Sequence, residues 1–367
     1  MSFNEDSRVK IPALLHFTRL GYRYLSLKTA DWDESTNIFP DLFRESVSRI
    51  NEAPNPDEVE RTLKDISLLL ENEDLGRAFY HRLLSTTGIK LIDFENFDNN
   101  SFHVVTELTC KNDDEEFRPD ITLLINGIPL AFIEVKKPNN REGILAEHNR
   151  IKARFKNPKF SRFFNTTQLM VFSNNMEYDD HSPEPIEGAF YATPSLDNAV
   201  FNYFREQRPS ELPPLLDLSP SDEDFILKDT NLLSIKHTAE YTTNKDPDNP
   251  TNRLSTSLFS RERLAFLLRY GIAYVRAETG VEKHVMRYPQ IFATKAIEDD
   301  LREGKRKGHH LAHPGQRKDR PRLLQRQAPD RLLPEAGHHP KVLLHRRPPR
   351  FAHSSRPRVP QSWPESA

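Results

Sequence analysis

The chain has 367 residues, a formal net charge of −2 and one cysteine, Cys110. That length is enough for two domains, or for one and part of another, and a lone cysteine excludes an internal disulfide framework. No run approaches the roughly 20 apolar residues of a membrane span, and the opening MSFNEDSRVK lacks a basic-then-apolar leader pattern, so a soluble cytoplasmic protein without a membrane partner is expected.

Residues 7–88 read as helical. Val9, Leu14, Leu15 and Phe17 to Leu20 recur at helical spacing, and Val59, Leu63, Ile66 and Leu70 resume it after the Pro-Asn-Pro break at 54–56. After Gly88 the pattern changes to short apolar runs, HVVTELT (103–109), DITLLIN (120–126), PLAFIEVK (129–136) and QLMVFSN (168–174), with one helical stretch at 142–155. This predicts an α/β fold with a central mixed sheet flanked by helices. The run 206–222, EQRPSELPPLLDLSPSD, holds four prolines and reads as a linker or a surface-hugging connection. Beyond it, 261–276 and 292–301 read as helices.

The chemistry concentrates in residues 117–138, FRPDITLLINGIPLAFIEVKKP. Cleaving a phosphodiester needs a divalent cation, hard oxygen ligands to hold it, and help in ionising the attacking water. Asp120, Glu134 and Lys136 supply these parts. Residues two apart on a strand share a face, so Glu134 and Lys136 project together, while Val135 points into the core and offers its backbone carbonyl as a further ligand. Asn126-Gly127 carries a hairpin signal. A strict two-residue loop pairs Asp120 with Ile133 and sends Glu134 to the opposite face. A bulged or three-residue loop pairs Asp120 with Glu134, and this is expected, or else an Asp120 just before the ladder begins. The competing reading is an ordinary hairpin with solvated charged ends.

The whole phrase, from Arg118-Pro119-Asp120 through the Asn-Gly turn to Ile133-Glu134-Val135-Lys136-Lys137-Pro138, resembles the nuclease domain at the N-terminus of the restriction (R) subunit of type I restriction-modification enzymes. Residues 136–180 and the opening SRVKIPALLHFTRLGYRYL are also similar to that family. The resemblance implies a PD-(D/E)xK restriction-endonuclease-like core that cuts double-stranded DNA with Mg2+, fused ahead of an ATP-driven motor and working with modification and specificity subunits. Asp120 and Glu134 carry over as catalytic metal ligands, and Lys136 as the residue that orients water or stabilises the transition state. The family's Gln-x-x-x-Tyr element has no match in 142–155, where His148 and Lys152 stand at comparable spacing. His148 is expected to face solvent or DNA. Glu71 and Glu73 are candidates for an upstream acid, though each also reads as a surface charge. Lys152, Arg154, Lys156, Lys159 and Arg162, interleaved with Phe155, Phe160, Phe163 and Phe164, suit either a phosphate-contacting edge or a solvated helix face above core aromatics.

The last 59 residues, 309–367, hold 12 Lys plus Arg against 4 Asp plus Glu, 10 of the 28 prolines and 7 of the 14 histidines. A disordered basic tail is one reading. Another comes from back-translation: one base later, HHLAHPGQRKDR permits IIWHTQGSGKTA, which contains the nucleotide-cradling GSGKT. The in-frame stretch before it, from Arg287 to Gly308, resembles the lead-in to the family's motor, with Gln290 as the adenine contact. The expected organisation is therefore a nuclease domain at 1–210, a linker at 211–224, an incomplete helicase-like motor fragment at 225–308 and an out-of-frame, disordered tail at 309–367. ATP belongs to the full-length family, and the chain as written lacks a P-loop. A catalytically silent DNA- or subunit-binding remnant and a stand-alone repair or junction nuclease remain as alternatives.

Overall fold

The computed structural model describes residues 5–112, 114–136, 141–176, 189–193, 200–277 and 280–304. A wide helical turn, Asp6–Lys10, runs into α1 (Ile11–Arg19), and β1 (Arg23–Tyr24), α2 (Pro40–Ile50), α3 (Pro56–Leu69) and α4 (Arg77–Leu83) follow. Proline stands in the first turn of α1, α2 and α3, where its missing N–H leaves no intrahelical bond unmade. The Asn55 side chain caps α3 by accepting from the Asp57 amide, so the Pro-Asn-Pro break restarts a helix. The helical region foreseen at 7–88 thus holds four helices, interrupted by β1 and by a long connection before α2.

Next come β2 (Phe102–Thr106), a small antiparallel ribbon of β3 (Cys110–Asn112) and β4 (Glu115–Phe117), then β5 (Ile121–Ile125) and β6 (Ile128–Val135). Helices α5 (Arg141–Lys156) and α6 (Ser161–Thr166) lead to β7 (Leu169–Ser173), and β8 (Ala189–Thr193) and β9 (Val200–Tyr203) complete the sheet. Its order is β1-β2-β5-β6-β7-β8-β9. The sheet is mixed, because β1 with β2 and β6 with β7 run parallel while the other neighbours are antiparallel. Strands β5, β6 and β7 are buried at every position.

The β5–β6 hairpin turns on Asn126 and Gly127, whose φ values of 52° and 77° are those of a type I′ turn. Gly127 is obligatory on a second ground, since a Cβ there would lie 2.7 Å from the Phe39 carbonyl oxygen. Pairing begins as Ile125 with Ile128 and Leu124 with Pro129, then shifts so that Leu123 faces Ala131 and Ile121 faces Ile133. Leu130 is the extra residue, and the hairpin therefore combines a two-residue loop with a bulge.

The bulge sorts the side chains. Ile133, Val135, Ile121, Leu123 and Val171 enter a large core with α1 and α4, whereas Phe132, Leu124, Met170 and Phe172 pack on the other face against Ile151 of α5 and Phe163 and Phe164 of α6.

The remaining elements are α7 (Pro220–Asp229), α8 (Ala239–Asn244), α9 (Pro250–Phe259), α10 (Arg261–Tyr270), β10 (Ile272–Ala277), β11 (Gly280–Val285) and α11 (Tyr288–Arg302). One expectation is corrected here. The helix foreseen over 261–276 stops at Tyr270, because Gly271 ends it and the β-favouring Tyr274 and Val275 pair with β11. The run foreseen as a linker or surface-hugging connection lies against the rest of the chain. Leu215 and Leu218 pack on the large core, the Leu216 amide donates to Arg19 O at 2.9 Å, and α7 already begins at Pro220, capped by Ser219. Ile226, Leu258, Phe259, Leu267 and Ile272 lie in the same core as Leu14 and Phe17. His16 meets Thr256 Oγ1 at 2.7 Å, and Tyr22 donates to Phe259 O at 2.9 Å. The tail foreseen at 309–367, like residues 305–308, lies outside the described residues. Among the described residues no helix is long and apolar enough to cross a membrane.

Candidate active site

Asp120 immediately precedes β5. Its carbonyl accepts from Thr106 Oγ1 at 2.8 Å and from the Glu107 amide at 3.3 Å, which ties it to the end of β2. With Ile121 opposite Ile133, the next position along the ladder sets Asp120 across from Glu134, on the face that carries Thr122 and Phe132. The Asp120 carboxylate closes the frame by accepting the Val135 amide at Oδ2, 2.9 Å away. Without Leu130 as a bulge residue, Glu134 would point to the opposite face.

Glu134 is 4% exposed in a strand otherwise apolar, a costly place for a charge unless it is compensated. Arg154, from the last turn of α5, brings Nη1 to 3.7 Å from Glu134 Oε1 and lays its guanidinium 4.7 Å from the Phe117 ring centroid. Phe117 is stacked on Phe164 and met edge-on by Phe160 and Phe163. Cys110 lies in the same apolar floor, and burial pushes its thiol well above the ordinary range, with Arg154 opposing and Glu134 reinforcing the shift.

Lys136 follows the end of β6, fixed by its amide to Ser173 O at 2.8 Å. Its Nζ donates to Val135 O at 2.9 Å and stands 3.7 Å from Asp120 Oδ2 and 3.5 Å from Glu5 Oε1. The structure thus brings together Asp120, Glu134, Val135 and Lys136, and adds Arg154 and Glu5. Neither addition was foreseen in these positions. Arg154 was legible only as one of several basic residues on α5, and nothing in the linear pattern near Glu5 marks it as a neighbour of Lys136.

Other candidates lie elsewhere. Glu71 pairs with Arg162, and Glu73 is exposed. Lys159 pairs with Asp114 at 2.5 Å and Glu115 at 3.1 Å. Phe160, Phe163 and Phe164 are buried and Phe155 packs on them, so the aromatics are core and the basic residues form its charged rim. His148 and Lys152 sit on α5, and the His148 side chain lies outside those described. Gln290 is buried at the start of α11, where its Oε1 accepts from the Arg287 amide at 2.7 Å and caps its own helix.

Two carboxylates and a main-chain carbonyl are hard oxygen donors of the kind Mg2+ takes. Among the described residues no three His, Cys, Asp or Glu side chains gather as a metal site. A cation on these donors would have to complete its shell with solvent or phosphate oxygens, as Mg2+ commonly does.

The profile of the family described as Type I restriction enzyme R protein N terminus (HSDR_N) matches residues 2–179, just under half of the chain. Three relatives from Methanocaldococcus jannaschii carry provisional names as type I restriction enzyme endonuclease subunits. MjaIXP is 27% identical over 49% of this chain and 19% of its own length. MjaVIIP is 51% identical over 13% of this chain and 4% of its own, and MjaVIIIP is 31% identical over 26% and 9%. The chain thus spans about a fifth or less of the curated relatives it matches.

Proposed function

Because residues 2–179 belong to the N-terminal region of type I restriction enzyme R proteins, we propose that they form its Mg2+-dependent nuclease, a PD-(D/E)xK site that hydrolyses a phosphodiester of duplex DNA. The observation that carries this reading is the Leu130 bulge, which sets Asp120 opposite Glu134 and leaves Lys136 beside both the Val135 carbonyl and Asp120.

Asp120, Glu134 and the Val135 carbonyl would hold the cation. A Mg2+ held there would supply charge withdrawal from the phosphate and a more acidic water. Asp120 is kept in place by the Val135 amide, so the strand itself orients the carboxylate. Lys136 reaches the same edge on a short tether and orients the attacking water or neutralises charge developing on the phosphoryl oxygens. Water oxygen bonds to phosphorus as the bond to the leaving ribose oxygen breaks, and the leaving oxygen acquires a proton. Apolar walls from Phe117 and Phe132 keep the buried side of the site dry, which strengthens each of these interactions.

Recognition of a DNA sequence, assembly with modification and specificity subunits, and ATP-driven translocation belong in this proposal to the rest of the complex. Gln290 on α11 would mark the approach to the motor. A second reading, a DNA- or subunit-binding piece that does not cut, draws on one observation. Asp120, Glu134 and the Val135 carbonyl are all engaged by a cationic side chain or an amide of this chain.

Nicking of supercoiled plasmid separates the two. The chain should cut with Mg2+, stop with chelator, and lose activity on Lys136→Ala. Wild type and Lys136→Ala that cannot be told apart would leave the binding reading in possession.

A further inference from the structure

Arg154 is not a loose surface cation. Its side chain is 18% exposed, it is held 3.7 Å from a carboxylate that is itself 5% exposed, and its guanidinium rests 4.7 Å from the Phe117 ring centroid. Phe117 cannot shift easily, because Phe164 is stacked on it at a 10° interplanar angle and Phe160 and Phe163 close its edges. The floor that seats Arg154 is therefore a set of interlocked, buried rings.

We propose that Arg154 is a positioning residue that serves as the resident counter-ion of Glu134 and competes with the divalent cation for that carboxylate. The proposal rests on the reading of Glu134 as a metal ligand. A buried carboxylate needs a compensating charge at all times, and before metal arrives Arg154 is a cation that the fold holds at this oxygen. Once a divalent cation is bound, a guanidinium at the same oxygen becomes a like charge at close range in a weakly screened pocket, so Arg154 must withdraw. Its fixed charge thereby weakens metal binding and keeps Glu134 folded into position while the site is empty.

The test is Mn2+ binding to the full chain, followed by the paramagnetic resonance signal of free Mn2+, for wild type, Arg154→Gln, Arg154→Lys and Glu134→Gln. Removing the charge in Arg154→Gln should tighten Mn2+ about tenfold, whereas Arg154→Lys, which keeps it, should bind like wild type. A packing effect would move both Arg154 variants together. Binding with the same affinity by wild type and Arg154→Gln, or equal shifts in Gln and Lys, overturns the competition while leaving Glu134 as a ligand. Glu134→Gln that binds Mn2+ as wild type does would remove the ligand reading, and the proposal with it. Thermal melts identify any variant that fails to fold, and Arg154→Lys, the milder change, keeps the comparison with wild type open.

Discussion

Asp120 Oδ2 accepts a hydrogen bond from the Val135 amide at 2.9 Å, so one carboxylate both faces the site and ties the edge of β5 to the end of β6. The two roles separate by substitution. Asparagine keeps a carbonyl oxygen for the amide but loses the charge, whereas alanine leaves a partly buried donor without its acceptor, a loss of about 1–3 kcal/mol. Asp120→Asn should unfold in urea at nearly the wild-type midpoint and fail to nick DNA. Asp120→Ala should fail to nick and also melt lower. Nicking by Asp120→Asn at the wild-type rate would remove Asp120 from the chemistry.

Gly127→Ala tests the turn. Its φ of 77° is left-handed, and the new methyl would approach Phe39 O to 2.7 Å and the Phe43 amide nitrogen to 2.8 Å. Strain of about 1–3 kcal/mol is expected, read as a lower urea midpoint with an unchanged slope. Asn126 should be as sensitive for a different reason. Its side chain accepts the Ser101 amide and donates to Leu91 O and Asn100 Oδ1, all within 2.9 Å.

These positions also show what a linear reading can and cannot reach. The Asn-Gly turn and the four central strands were legible because turn chemistry and strand period are local, and the nearness of Asp120, Glu134 and Lys136 follows from that hairpin. That a bulge would be needed was legible too, but its place at Leu130 was not, since an apolar strand buried on both faces carries no alternation to reveal a slipped register. Arg154 was legible only as one of many basic residues. Its selection depends on where α5 lands against Phe117, which is a matter of tertiary packing. The helix foreseen through Arg276 failed because apolar residues such as Ile272, Tyr274 and Val275 continue a helical pattern as readily as they fill a buried strand, and Gly271 alone marked the change.

The continuity of the core makes a prediction about truncation. Ile226, Leu258, Phe259, Leu267 and Ile272 cover Leu14 and Phe17, and Tyr80 donates to Leu268 O at 3.0 Å. A chain ending at residue 219 would expose that face. It should melt at least several degrees below the full chain and bind a hydrophobic dye. A residue 1–219 piece that matches the full chain in melting temperature would show that the N-terminal part is autonomous.

Acid should also destabilise the fold. Burial, reinforced by nearby Arg19, pushes the His16 imidazole down to about 3, and burial with Arg23 pushes His103 down to about 4. Each is neutral when folded but takes up a proton near pH 6.5 when unfolded. Below pH 6.5 the unfolded chain binds more protons, so stability falls with pH at about 1.4 kcal/mol per unit for each group until the folded-state value is reached. Denaturation followed from pH 7 to pH 4 should show this slope, and His16→Gln should reduce it. An unchanged slope in that variant would place the proton uptake elsewhere.

Lys283 gives the opposite window. It lies on β11, 2% exposed, with Nζ donating to Thr167 O at 3.1 Å and 5.8 Å from the Tyr274 ring centroid, and burial pushes it down to about 7. No carboxylate pairs with it among the described residues. Unfolded, the amine stays charged to about 10.5, so between pH 7 and 10.5 the unfolded chain holds a proton that the folded chain has released. Stability contributed by this site therefore rises with pH across that window, and below pH 7 the folded protein buries a charge outright. Lys283→Met replaces the side chain with an apolar one of similar length and should stabilise the protein by about 1–4 kcal/mol at pH 7. The gain over wild type should shrink as pH approaches 10, because releasing the proton that the unfolded amine holds costs less as pH nears its ordinary value of 10.5. Melting curves of both proteins at pH 7, 8.5 and 10 measure the difference directly, and a gap that stays constant with pH would show that Lys283 titrates in the fold as it does when unfolded.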